Sequence, residues 1–303
     1  MAPSVLIIGA SGALGRPLVE EFQKQRARFG GVAILSDPAK AHKFSEVQKS
    51  GIKVVIGSFL DFKCYQGASA DLSSLFHHSS CHHRMQASTS CSPLWETGAM
   101  RLQPGMIEAA VAGWPGLWQF RYFRDKVATR DHLAAKAKEV PDFRYTLMLT
   151  GAFTDWAAGE FSGVDVKNHT VEAYGYPDAQ IAVTALADIA RYTVESVLLP
   201  FPEEQSRREI RVRGDQVTFK QLIALLEQIQ GVKYQTKFFD PQEAAKKQEE
   251  ARLCGDEEGE LMWAGRTNIP AGRVIIPLPL DNEKFGFKPE PIKETLRRWL
   301  EEN

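Results

Sequence analysis

Gly9, Gly12 and Gly15 stand at the spacing G-x-x-G-x-x-G, directly after the apolar run Val5-Leu6-Ile7-Ile8 and directly before an amphipathic segment. Three glycines so placed suit a strand–turn–helix that meets a pyrophosphate. Gly9 and Gly12 allow a tight turn and a close backbone approach, and Gly15 lets the helix pack near the strand. The backbone N–H groups of Ser11, Ala13 and Leu14, at the helix start, would then face the phosphates, with Arg16 beside them. A glycine turn of purely structural purpose is the plainer alternative.

Other residues could carry chemistry. Tyr122 precedes Lys126 at the spacing Tyr-x-x-x-Lys. On a helix this puts a phenol and an ammonium on one face, where the cation favours phenolate. The same spacing also arises by chance, and no clear serine partner stands upstream. His77, His78, Cys81, His82 and His83 crowd one stretch. Their spacing matches no standard finger, so a solvated loop is expected and no metal. Phe153 and Trp156 follow an apolar strand and suit either stacking on a flat ligand or packing.

The elements that must position these groups follow from periodicity. Strands are expected at 5–8, 31–35 and 52–57, with a helix after the glycine turn and a short polar helix at 43–50. Strand, helix, strand, helix, strand predicts an α/β fold, a doubly wound parallel sheet. The pattern degrades over residues 64–120, with a helix expected only at 105–112. Order returns with a charged helix at 125–139 and a strand at 144–149. Thr184 is expected to cap a helix carrying Leu186, Ile189, Ala190, Val194 and Val197. Arg208 to Val212 reads as a strand, and Thr218-Phe219-Lys220-Gln221 as a capping box ended by Gly231. Glu243 to Arg252 reads as a polar surface helix, Glu243 to Glu250 and Asp256 to Glu260 as solvated charged faces, and Ile292 to Leu300 as a closing helix. We expect a dinucleotide-binding Rossmann-like domain over 1–152 and a smaller C-terminal substrate-side lobe over 153–303. Residues 181–200 should pack back on the first domain.

Composition bounds the function classes. The chain has 303 residues, 44 % hydrophobic and 25 % charged, with a formal net charge of −1. No global field favours nucleic acid or an anionic membrane. No apolar run approaches the ~20 residues of a membrane span. The first strand begins at once, so no signal peptide is expected. Cys64, Cys81, Cys91 and Cys254 are widely spaced and read as reduced thiols, which makes the cytoplasm the expected compartment.

The glycine turn, Thr150-Gly151-Ala152-Phe153-Thr154, Ile181-Ala182-Val183-Thr184, Ala187-Asp188-Ile189-Ala190-Arg191 and the capped helix from Thr218 together resemble the NmrA-like and isoflavone-reductase-like proteins, above all fungal ones. These are atypical short-chain dehydrogenase/reductase relatives. The resemblance covers nearly the whole chain except about residues 64–120. It implies an NAD(P)H-dependent oxidoreductase reducing a C=O, C=C or C=N bond of a small aromatic or heterocyclic metabolite, often in secondary metabolism. Its alternative is a cofactor-sensing regulator without turnover that binds a protein partner. Either would be a monomer or a homodimer.

Residue by residue, Lys126 matches the family's active-site lysine, which holds the nicotinamide ribose and helps protonate substrate. The plainer reading is an exposed helix lysine. Asp61 matches residues that bond the adenine amine, and Phe153 lies at the expected mouth of the cofactor crevice. Where many family members place an arginine for a 2′-phosphate, this chain has Ser36 and then Asp37. Lys40, Lys43 or Arg16 would supply charge for NADP, the cofactor the resemblance favours. Asp37 suits the ribose hydroxyls of NAD, the alternative. The family's fifth-strand aromatic-Pro-Ser-Glu segment has no clear counterpart, and Trp114-Pro115-Gly116 stands roughly in its place.

Overall fold

The computed structural model describes residues 2–57, 121–140 and 143–302, the side chains of 121–125 excepted. The chain opens with β1 (Ser4–Ile8), α1 (Gly15–Lys24), β2 (Gly31–Ser36), α2 (Ser45–Lys49) and β3 (Lys53–Ile56). Next come α3 (Arg121–Glu139), β4 (Tyr145–Leu149), β5 (Ala152–Phe153) and α4 (Thr154–Ala157). They are followed by β6 (Val164–Asp165), β7 (Thr170–Tyr174), β8 (Gln180–Thr184) and α5 (Leu186–Leu198). The remainder is β9 (Arg207–Arg211), β10 (Asp215–Thr218), α6 (Phe219–Gln230), β11 (Gln235–Phe239), α7 (Pro241–Cys254), α8 (Glu257–Asn268) and α9 (Ile292–Glu302). The chain divides into two compact units.

The first unit holds β1 to β3, residues 132–146 and residues 189–208. Its sheet has the order β1-β2-β3, parallel throughout, with Val5 opposite Val32, Ile7 opposite Ile34 and Ile34 opposite Val54. Every residue of β2 is buried, as a parallel strand covered on both faces requires. On one face Val5, Ile7, Val32 and Ile34 pack with Leu18, Val19 and Phe22 of α1 and with Ala190, Val194 and Val197 of α5. Burying each such side chain stabilises by roughly 1.5–3 kcal/mol before conformational entropy is counted. Leu6, Ala33 and Leu35 form the core of the other face. The polar helix expected at 43–50 is two pieces. Asp37 caps a 3-10 stretch over Pro38–Phe44, and α-geometry starts only at Ser45.

The second unit holds 147–188 and 209–302 with the start of α3. In one sheet β8 lies between β10, antiparallel, and β5, parallel. In another β7 lies between β11, parallel, and β6, antiparallel. The core joins Val171, Ala173, Ile181 and Val183 to Phe219, Leu222 and Leu226 of α6 and Leu296 of α9. The capping box of α6 forms as expected. Thr218 Oγ1 accepts from the Gln221 N–H at 3.1 Å, the Thr218 N–H donates to Gln221 Oε1 at 2.7 Å, and Gly231 closes the helix at φ 71°.

One expectation fails and another holds only in part, each for an identifiable reason. Thr184 does not cap α5. It ends β8, and its buried hydroxyl donates to the Thr150 carbonyl at 2.6 Å and accepts the Gly214 N–H at 3.0 Å, tying three segments together. The solvated face expected over Asp256 to Glu260 holds at Asp256, Glu257 and Glu258, which are exposed, but not at Glu260, which is buried, and Asp256 caps α8 by accepting the Gly259 N–H at 2.9 Å.

Candidate functional site

The first candidate is the turn between β1 and α1. Gly9 adopts φ 76°, a left-handed conformation that favours glycine. The Gly12 N–H donates to the Gly9 carbonyl at 2.9 Å, closing the turn. A β-carbon on Gly15 would lie 2.1 Å from the Gly9 oxygen and 2.7 Å from Ala10 Cα, so only glycine lets the helix start there. A β-carbon on Gly12 would meet the same oxygen at 3.3 Å. Gly12 and Ala13 are exposed, Ser11 is half-buried and Leu14 is buried. No side chain caps α1, its first turn holds no acid, and Arg16 is exposed within it. An uncapped helix N-terminus with a neighbouring cation is an anion site by dipole and by N–H direction.

The end of β2 lies at the same edge of the parallel sheet. Ser36 is 2 % exposed, and its hydroxyl donates to the Asp37 carbonyl at 3.1 Å. Asp37 Oδ1 accepts the Ala39 N–H at 2.9 Å, so one carboxylate oxygen is already engaged in the turn. Lys40 follows, exposed, its own N–H bonded to the Asp37 carbonyl at 2.9 Å.

The second candidate is Lys126 on α3. Its side chain is 1 % exposed, which overturns the plainer reading of a solvated helix lysine. Loss of water holds its amine well below the ordinary lysine range. Tyr122 is on the same helix, one turn earlier, by backbone alone, since its side chain lies outside the described residues. Phe153 is buried at the end of β5, its ring edge-to-face with Trp156 at 5.2 Å, and Trp156 meets Phe161 in the same way at 5.2 Å. Asp61, the histidine-rich stretch, Trp114-Pro115-Gly116 and the expected helix at 105–112 lie outside the described residues. Among the described residues no group of His, Cys, Asp or Glu is arranged to hold a metal. No described helix is long and apolar enough to cross a membrane.

Sequence reasoning missed Asp155. This carboxyl accepts the Leu186 N–H, its Oδ2 is buried without a hydrogen-bond partner, and burial raises it above the usual carboxylate range. The residue sits in a four-residue helix with no readable periodicity, so no sequence signal marked it.

No family model matches the sequence, and no curated protein matches it. Solved structures do. Isoflavone reductase is 17 % identical over 99 % of this chain and 100 % of its own, with a TM-score of 0.67. The leucoanthocyanidin reductase–NADPH complex from Vitis vinifera is 14 % identical over 98 % of this chain and 99 % of its own, at 0.65. The fold is that of isoflavone reductase. A nucleoside-diphosphate-sugar epimerase from Staphylococcus aureus is similar at 0.62, 13 % identical over 97 % of this chain and 99 % of its own. One architecture thus serves different reactions, and function must be argued from residues.

Proposed function

We propose that this chain is an NAD(P)H-dependent reductase of the isoflavone-reductase-like kind, acting on a C=O, C=C or C=N bond of a small aromatic or heterocyclic metabolite. The observation that carries the reading is the glycine turn, where Gly15 has no room for a β-carbon and the helix start has no side-chain cap. Those residues fit a pyrophosphate. In the bound state the cofactor supplies the hydride. The N–H groups of Ser11 to Leu14 would hold its phosphates, with Gly9, Gly12 and Gly15 forming the turn.

NADP is the favoured cofactor, because Asp37 already bonds the Ala39 N–H and exposed Arg16 and Lys40 supply positive charge. Among the described residues neither cation has an ion-pair partner. NAD, bound through the remaining Asp37 oxygen, is the alternative. Lys126 would hold or move a proton at a substrate oxygen or carbanion, with Tyr122 as a second proton donor. A buried lysine whose amine is easily deprotonated suits that task better than a solvated one.

The test is NADPH consumption by the purified chain against a panel of aromatic enones, quinones and cyclic imines. Turnover with at least one class, lost in Lys126→Met while NADPH still binds, is the expected result. NADPH binding without turnover on any class would point to the cofactor-sensing alternative.

A further inference from the structure

β8 is apolar along Ile181-Ala182-Val183, all three fully buried, and then places a hydroxyl where the pattern calls for another methyl. Thr184 is itself 0 % exposed. Valine fills the same space without the penalty of desolvating a hydroxyl. What the oxygen adds is position. It donates to the Thr150 carbonyl at 2.6 Å and accepts the Gly214 N–H at 3.0 Å.

Thr150 opens the turn that leads from β4 into β5. Gly151 follows at φ 70°, and a β-carbon there would lie 2.4 Å from the Ala182 oxygen, so the turn rests directly on β8. Ala152 and Phe153 then run parallel to β8, with Ala152 opposite Val183 and Phe153 opposite Thr184. Each of Phe153 and Thr184 is the last residue of its strand, the end at which α/β folds hold their ligands. β5 is only two residues long, and so short a ladder specifies its register weakly. The Thr184 hydroxyl adds the missing constraint. Gly214, in the link between β9 and β10, braces it from the other side and also donates its N–H to the Val183 carbonyl at 3.0 Å.

We infer that Thr184 is a positioning residue for the proposed reduction: through the Thr150 carbonyl, its hydroxyl sets the register of β5 and with it the place of Phe153. The role rests on the reductase reading, with Phe153 at the mouth of the cofactor crevice. Thr184 acts through the backbone and not on the reacting atoms. Hydride transfer is sensitive to such an effect, because a misplacement of about 1 Å can lower a rate roughly 100-fold.

The test compares Thr184→Val with Thr184→Ser in the full chain, by NADPH turnover, NADPH titration and thermal unfolding, with every assay run below every midpoint. Valine keeps the volume and loses the oxygen, whereas serine keeps the oxygen and loses the methyl. The expected result is a kcat lowered at least about tenfold in Thr184→Val and restored to within about threefold of the native value in Thr184→Ser. NADPH affinity should stay within about twofold in both, since neither change touches the glycine turn. A role in packing alone predicts the reverse order, with valine the more active, or a lowered midpoint with kcat unchanged per folded molecule. Either result would overturn the inference. If valine prevents folding, Thr184→Ala takes its place, because alanine and serine differ by the same oxygen. A native chain that turns over no substrate defeats the reductase reading itself. Native turnover that Thr184→Val matches defeats only the role of Thr184.

Discussion

Gly15 is the residue on which the nucleotide reading turns most sharply. Its missing β-carbon is all that separates the start of α1 from the Gly9 carbonyl, 2.1 Å from where that carbon would be. Gly15→Ala must push the helix away, so dinucleotide affinity should fall at least about tenfold, with roughly 1–3 kcal/mol of stability lost, measured by titration and denaturant unfolding. Lys126 makes the opposite trade. Its amine is held below the lysine range when folded, so the unfolded chain binds more protons between the folded value and about 10.4. Burial of Lys126 thus opposes folding most below the folded value, and that penalty fades as pH rises through the window. Lys126→Met should therefore raise the unfolding midpoint at neutral pH, lose that advantage above about pH 10.4, and lower turnover about 100-fold or more. A residue kept only for packing would leave turnover intact. Asp155 runs the other way, since burial raises its carboxyl and the folded chain binds the extra proton. Stability should fall as pH climbs from the ordinary aspartate value through the raised one. Asp155→Asn should flatten that fall, as thermal melts across the pH range would show.

Among the elements, strands were the most legible. The runs Val5–Ile8 and Gly31–Leu35 are continuous and apolar, which is how strands covered on both faces read, while Ile52–Gly57 is broken by Lys53 and forms the more exposed β3, and all three form the parallel sheet. Residues 218–231 were equally legible, because a capping box and a terminal glycine are local chemistry. Thr218→Ala should cost about 1 kcal/mol, read from denaturant unfolding, by removing the oxygen that accepts the Gln221 N–H. Thr184 was misread because a threonine before an apolar helix looks the same whether its hydroxyl caps that helix or reaches a carbonyl 34 residues away. Helix α8 was missed because four of the five residues from Asp256 to Glu260 are acidic and the fifth is Gly259, and charge alone does not distinguish a helix start from a loop. The spacing Glu260, Ala264, Asn268 was the available signal, since residues four apart share one helix face and all three are buried.

Across the whole molecule, two units carry different parts of the account. The first offers the parallel sheet and glycine turn, which were readable because a strand–turn–helix built on close backbone approach demands glycines at fixed spacing. The second offers mixed sheets and helices whose packing leaves no such spacing behind. Lys126 lay between these cases: its position was readable by resemblance, whereas its burial depends on tertiary packing that no local pattern encodes. Because the same architecture occurs in an epimerase, the reaction rests on residues and not on shape. The most direct measurement is a calorimetric titration of the purified chain with NADPH and with NADH, repeated on Gly15→Ala. The account predicts saturable micromolar binding of NADPH, weaker binding of NADH, and loss of both in the variant. Failure of the native chain to bind either dinucleotide would contradict it.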